Sequence, residues 1–197
     1  APEGEQEIFS LDEMIKIWDP ARISKSPAIF DPLKLRAINA AYIRALPAEE
    51  FRRLADPFID SAVHCSIDRD LLCANLQPRC EVLEDIPPQL DFFDAVLPID
   101  AEMYRNKKQK TTPESAKEAL TALLPVLEAQ TDWTRDAILE ACMTMAESME
   151  KKNGWLLFPL GIALSGKSRT PGGGTDLAAM MGKEETVKRV KAALEKL

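Results

Sequence analysis

The sequence predicts an all-α fold, and three observations carry that expectation. Apolar residues recur at helical spacing along most of the chain. Residues that cap or start helices stand in front of those runs. Alternating β-branched stretches of the kind that build strands are absent, and the best strand candidate, Trp155 to Leu164, is apolar but lacks them. With 197 residues, 46% apolar and 29% charged, the chain has material for one ordinary domain or two small ones with a real core.

Ser10-Leu11-Asp12-Glu13 reads as a capping box opening a short helix to about Trp18. Asp31-Pro32 supplies an N-cap and first-turn proline, followed by Leu35, Ile38, Ala41, Tyr42 and Ala45 at helical spacing. Leu46-Pro47 ends that helix and starts another, striped by Phe51, Leu54, Ala55 and Phe58. A further helix is predicted from Asp68 to about Leu76, then short pieces broken by Pro78, Pro87, Pro88 and Pro98. Thr112-Pro113 starts a helix carrying Ala116, Leu120, Leu123, Leu124 and Leu127. Thr134 caps the next, with Ile138, Cys142, Met145 and Met149 on one side and Asn153-Gly154 expected to close it. The turn Pro171 to Gly174 precedes a short helix through Met181, and a last helix runs from about Lys183. The pattern predicts two small helical bundles joined near 95–112, with no internal repeat.

The net charge is −7, which argues against a uniformly basic nucleic-acid binder. Its distribution is uneven. Residues 48–102 hold 13 acids against 4 bases, while residues 21–47 sum to +4, residues 103–110 to +4 and residues 153–197 to +3. Such basic islands can hold phosphates where the average charge cannot, although a four-charge run is also what a solvated linker looks like. The longest apolar run is ten residues and contains Pro159 and Gly161, so no membrane span is expected. Nothing reads as a leader, and a cytoplasmic location is expected.

Candidate chemistry is sparse. The four cysteines at 65, 73, 80 and 142 form no C-x-x-C pair, and His64 is the only histidine. No metal site is expected from that set, and the thiols read as reduced and mostly buried. Carboxylate pairs such as Asp68/Asp70 and Glu84/Asp85 fall on helix ends or loops and read as solvated caps. Gly161 to Ser168 satisfies the G-x-x-x-x-G-K-S phosphate-loop expression. That chemistry needs a helix to begin at the lysine, yet Pro171 and three glycines follow at once, so the match reads as coincidence. From the residues alone the chain reads as a soluble helical module for binding RNA or protein, with no visible active site.

Three stretches are similar to one family. Phe9 to Ile15, Arg22 to Asp31, Leu33 to Asn39 and Tyr42-Ile43-Arg44 resemble the segment of bacterial glutamyl-tRNA synthetases just beyond the catalytic domain. Within it, Arg22-Ile23-Ser24-Lys25-Ser26 resembles the mobile Lys-Met-Ser-Lys-Ser loop of class I synthetases, but the chain has no His-x-Gly-His signature to partner it. Gln77 to Leu83 resembles the family's Arg-Pro-Arg segment, and Pro159 to Gly166, Thr170-Pro171-Gly172 and Gly182-Lys183-Glu184 resemble its closing motifs in order.

The resemblance implies three parts: the end of a stem-contact domain over 1–46 and two helical anticodon-binding subdomains over 47–100 and 101–197. It implies a parent enzyme joining glutamate to tRNA(Glu) with ATP and Mg2+, whose catalytic domain would precede Ala1. This chain is then expected to be inactive alone, to need no cofactor, and to bind tRNA as a monomer, not DNA or membrane. Arg79 matches an arginine that reads the third anticodon base, which separates glutamate from glutamine anticodons. The plainer alternative is a helix-end arginine paired with Glu81 or Glu84. Thr170, Pro171 and Gly172 match the loop at the middle base. Leu160 matches a residue near the first bases, and Gly161 stands where the family usually has arginine. Lys167 and Arg169 are candidates to compensate, and together with Arg105, Lys107 and Lys108 they are the expected auxiliary phosphate contacts. The competing reading is a helical protein-interaction module for a tRNA-pathway partner, motivated by the acidity of 48–102.

Overall fold

The computed structural model describes residues 6–22 and 29–197. The Ser24-Lys25-Ser26 stretch lies outside the described residues. Among those described there are nine α-helices and no sheet, the one β feature being an isolated bridge between Asn106 and Thr111. Thus the all-α expectation holds.

The predicted caps set the helix starts. In α1 (Leu11–Ile17) the Ser10 amide donates to Glu13 Oε2 at 2.7 Å and the Glu13 amide returns to Ser10 Oγ at 3.2 Å. Asp31 Oδ1 accepts from the Leu33 and Lys34 amides at the head of α2 (Pro32–Ala45). Pro47 precedes α3 (Ala48–Asp60), and Asp68 caps α4 (Arg69–Leu76) through the Leu71 amide at 2.9 Å. The proline-rich stretch then folds as tight 3-10 turns at Gln77–Arg79, Leu83–Asp85, Pro87–Gln89 and Ala101–Tyr104, since proline at an early position suits a short turn better than a helix interior. Thr112 and Ser115 cap α5 (Pro113–Ala129) reciprocally, and Thr134 caps α6 (Arg135–Ser148).

One boundary differs from expectation. Asn153-Gly154 does not close α6 but opens α7 (Asn153–Ser165). The reversal of direction is made by Glu150, whose φ of +56° lets the Lys151 amide reach the Ala146 carbonyl at 2.9 Å. The strand candidate Trp155 to Leu164 is the body of α7, with Pro159 inside it. Apolar all round, α7 is the central helix, packed against α5, α6, α8 (Gly174–Met181) and α9 (Lys183–Leu194).

The buried residues form one continuous cluster from Ile43 to Ala193 that crosses residue 100. Phe51, Ala55 and Ile59 of α3, Leu72 and Leu76 of α4 and the stacked pair Phe92–Phe93 join Leu120, Leu123, Leu156, Leu160 and Leu177. The Asp68 amide donates to the Met180 carbonyl at 3.0 Å, tying the head of α4 to the tail of α8. By contrast α1 buries no residue, and Leu11, Ile15 and Trp18 stand exposed.

Candidate nucleic-acid interface

Arg79 ends the 3-10 turn after α4, and its guanidinium donates to the Pro171 carbonyl, joining residues 92 positions apart. Neither alternative carboxylate takes it: Glu81 pairs with Arg36 at 2.8 Å, and among the described residues Glu84 forms no ion pair. The side chain therefore bridges the segment after α4 to the loop between α7 and α8.

That loop is built by close packing. Gly166, at φ +68°, ends α7 and turns the chain back. The helix thus ends where a phosphate loop would have to begin one, so Lys167 follows carbonyls rather than free amides, and the motif match has no phosphate cradle. Thr170 Oγ1 donates to the Gly172 carbonyl at 2.6 Å, and Asp176 Oδ2 accepts from the Gly173 amide at 2.7 Å. A Cβ on Gly172 would stand 2.5 Å from Asp176 Cβ, and one on Gly174 only 2.8 Å from the Leu157 carbonyl oxygen. Gly174 is required by the approach of α8 to α7 at Gly161, and Gly172 by the folding of the loop onto the Asp176 side chain. Arg135 braces the same corner, its Nε 3.1 Å from Asp176 Oδ1.

Together these elements frame an open cleft of about 620 Å³, lined by Arg79, Gln89, Leu157, Phe158, Gly161, Ile162, Lys167 to Thr170 and Gly172 to Gly174. The structure thereby brings Arg79, Gly161, Lys167, Arg169, Thr170 and Gly172 to one place, with Pro171 buried behind the wall and its carbonyl held by Arg79. Leu160 is a correction: its side chain is fully buried in the core against Gly174, so it supports the floor and offers no surface to a ligand. Lys167 is already engaged, donating to the Pro88 carbonyl at 2.8 Å and pairing with Asp91. Arg169 is exposed and has no ion-pair partner among the described residues.

Arg105 is paired with Glu102 at 2.7 Å, whereas Lys107 and Lys108 stand exposed on the loop closed by the Asn106–Thr111 bridge, at the N-terminal end of α7 and not in the cleft. Gln89 and Phe158 are cleft residues that pattern reading missed. Phe158 could have been found, because it lies one helical turn from Gly161.

The remaining chemistry is structural. Burial pushes the Cys73 and Cys80 thiols up to about 11 and Cys142 to about 12, leaving Cys65 as the exposed one. Asp94 accepts from His64 Nδ1 and from the His64 and Cys65 amides, and these contacts hold its carboxyl well below the usual range. Among the described residues no three metal-ligating side chains converge, and no helix is long and apolar enough to cross a membrane.

A family model described as "Anticodon binding domain" matches residues 34–194. The chain belongs to the anticodon-binding domain family. Relatives of the chain include the glutamate–tRNA ligases of Clostridium botulinum, 43% identical over 196 residues, and Clostridium acetobutylicum, 42% identical over 197. Each match covers the whole of this chain, which spans only 40% and 41% of the length of those relatives. A solved glutamate tRNA ligase from Elizabethkingia meningosepticum, in complex with its amino acid, superimposes with a TM-score of 0.79 at 26% identity, over 98% of this chain and 38% of that one. The glutamate–tRNA synthetase of Elizabethkingia anophelis gives 0.78 at 25% identity, over 99% of this chain and 38% of that one.

Proposed function

We propose that this chain is the anticodon-reading part of a glutamate–tRNA ligase and recognises tRNA(Glu). The observation that carries the reading is the meeting of Arg79 with the Thr170–Gly174 loop in one open cleft of an anticodon-binding domain. ATP and Mg2+ would serve the ligation step through residues outside this sequence. Within it, 47–100 and 101–197 act as the two helical subdomains, and their shared core holds Arg79, from one, against the loop of the other.

An unstacked anticodon base exposes its hydrogen-bonding edge, and a guanidinium can fork onto two acceptors there. Arg79 spends one nitrogen on the Pro171 carbonyl, which fixes the plane of the guanidinium while other donors stay available. Thr170 and the backbone of 172–174 line a slot for the neighbouring base. Phe158 adds an aromatic surface in the cleft on which a base can stack. Gly161 leaves the floor open, so the first base meets no cation from α7, and Arg169 is the cation free to approach the backbone.

The test is a binding titration of this chain with tRNA(Glu), tRNA(Gln) and an unrelated tRNA. The expected result is tightest binding of tRNA(Glu), with Arg79→Gln shrinking its advantage over tRNA(Gln) by roughly tenfold, the worth of one forked base contact. Unchanged relative binding of the two tRNAs would refute the role of Arg79. Absence of tRNA binding at low salt would favour the protein-interaction reading, for which the exposed Leu11, Ile15 and Trp18 of the N-terminal segment are the supporting observation.

A further inference from the structure

The loop between the 3-10 turn Ala101–Tyr104 and α5 carries Arg105, Lys107, Lys108 and Lys110 without an acid. It is held in one shape. The Asn106 amide donates to the Thr111 carbonyl and the Thr111 amide to the Asn106 carbonyl, both at 3.0 Å. Asn106 Oδ1 also accepts from the Lys108 and Gln109 amides at 3.0 and 3.1 Å. Lys110 sits at φ +57°, where glycine would fit more easily, yet the residue is a lysine.

Gln109 lies against α7 so closely that a Cβ on Gly154 would fall 1.8 Å from its Oε1. That contact brings Lys107, Lys108 and Lys110 beside Lys151 and Lys152, which lead into α7. All five are exposed, and among the described residues none forms an ion pair, unlike Arg105 with Glu102 or Lys167 with Asp91. The Lys151 ammonium stands 5.2 Å from the centroid of the Trp155 ring, an arrangement that orients the charge without neutralising it.

The register of α7 connects this patch to the cleft. Gly154, Leu157, Phe158 and Gly161 recur at i, i+3, i+4 and i+7 and so share one helix face. Gly154 touches the lysine loop, and the other three line the cleft. Seven residues of helix span about 10 Å, which is about three phosphates along one strand of a nucleic-acid helix. The segments next to these lysines in sequence are acidic, with residues 48–102 at −9 and residues 111–150 at −6, so a polyanion is drawn to this face and repelled from its flanks.

We propose that Lys107, Lys108, Lys110, Lys151 and Lys152 form a second RNA contact that grips the phosphate backbone of the anticodon arm next to the bases entering the cleft. The proposal rests on the anticodon-reading function above and deepens it. The lysines supply affinity without base choice, while Arg79 supplies choice.

The test compares the wild-type chain, the Lys107→Ala/Lys108→Ala/Lys110→Ala variant and Arg79→Gln, each titrated with tRNA(Glu) and tRNA(Gln) from about 50 to 200 mM KCl. In the alanine variant the slope of log affinity against log salt should become shallower by about two. Affinity for both tRNAs should fall by the same factor, so that their ratio is kept. Arginine at the same three positions should restore the wild-type slope. Arg79→Gln should instead change the ratio. An alanine variant with wild-type affinity and slope, alongside an altered ratio in Arg79→Gln, would overturn the lysine contact while the cleft reading stands, and would leave the patch to an acidic protein. A changed ratio in the alanine variant would also overturn it. A wild-type chain that binds neither tRNA would overturn both.

Discussion

At the C-terminal end of α7, Arg189 reaches across from α9 with only 4% of its surface exposed and donates to the carbonyls of Leu164 and Phe92 at 2.7 Å and Phe93 at 2.6 Å. Glu185 pairs with its Nε at 2.8 Å, and nearby Lys167 is held by Asp91 and the Pro88 carbonyl. At the N-terminal end of the same helix, five lysines stand in solvent without an ion pair among the described residues. The cations at one end saturate carbonyls that the fold leaves open, including one from the last turn of α7. Those at the other end form no ion pair among the described residues and are free for an external anion. What separates structural cations from those available to a ligand is whether the fold supplies a partner, and not the amount of charge: at the C-terminal end, too, Arg169 is exposed and has no ion-pair partner among the described residues.

This contrast is most easily broken at Arg189. Arg189→Met should cost about 3–5 kcal/mol, because three carbonyls lose their buried donor and Glu185 keeps only Lys188 of its two partners. Urea unfolding monitored by circular dichroism reads it, and a loss below about 1 kcal/mol would mean that the carbonyls find other partners. Next comes the α7–α8 crossing. Gly174→Ala drives a Cβ to 2.8 Å from the Leu157 oxygen and 2.9 Å from the Gly161 nitrogen, so it should destabilise by about 1–3 kcal/mol and weaken tRNA binding by deforming the cleft. Gly161→Ala meets nothing nearer than 3.8 Å and should be neutral or stabilising by up to about 1 kcal/mol. If both alanines behave alike, the crossing is not set by Gly174. The smallest effect is expected at the opposite end, where the triple lysine-to-alanine variant should melt within about 0.5 kcal/mol of wild type while changing salt dependence.

Much of the fold is legible in the sequence because capping is local chemistry. Asp31, Asp68, Thr112 and Thr134 each accept from an amide two or three residues ahead, so their role is visible without tertiary information. The failures lie where a local signal pointed elsewhere. Glycine after asparagine usually ends a helix, but here Glu150 takes the positive φ and Asn153-Gly154 begins one. An apolar run with proline and glycine in it has no periodicity of its own, and only its burial on all sides makes it α7.

The candidate site was legible by another route. The resemblance placed Arg79, Gly161, Thr170, Pro171 and Gly172 in one function, and their meeting depends on a contact between residues 79 and 171 that no local pattern encodes. It erred on Leu160, whose neighbour along the helix faces the cleft while Leu160 itself faces the core. Arg189 did leave a signal, since it falls in register with Thr186, Val190 and Ala193, the buried stripe of α9. A charge on an apolar stripe marks a buried tie.

In the proposed function Arg79 meets the third base of an anticodon held in the cleft. Chemical footprinting of tRNA(Glu) bound to the chain tests it most directly. Protection should be confined to the anticodon arm and include the third anticodon base, and Arg79→Gln should restore the reactivity of that base while protection of the arm's backbone remains. Anticodon bases as reactive in the complex as in free tRNA, or protection centred on the acceptor end, would contradict it.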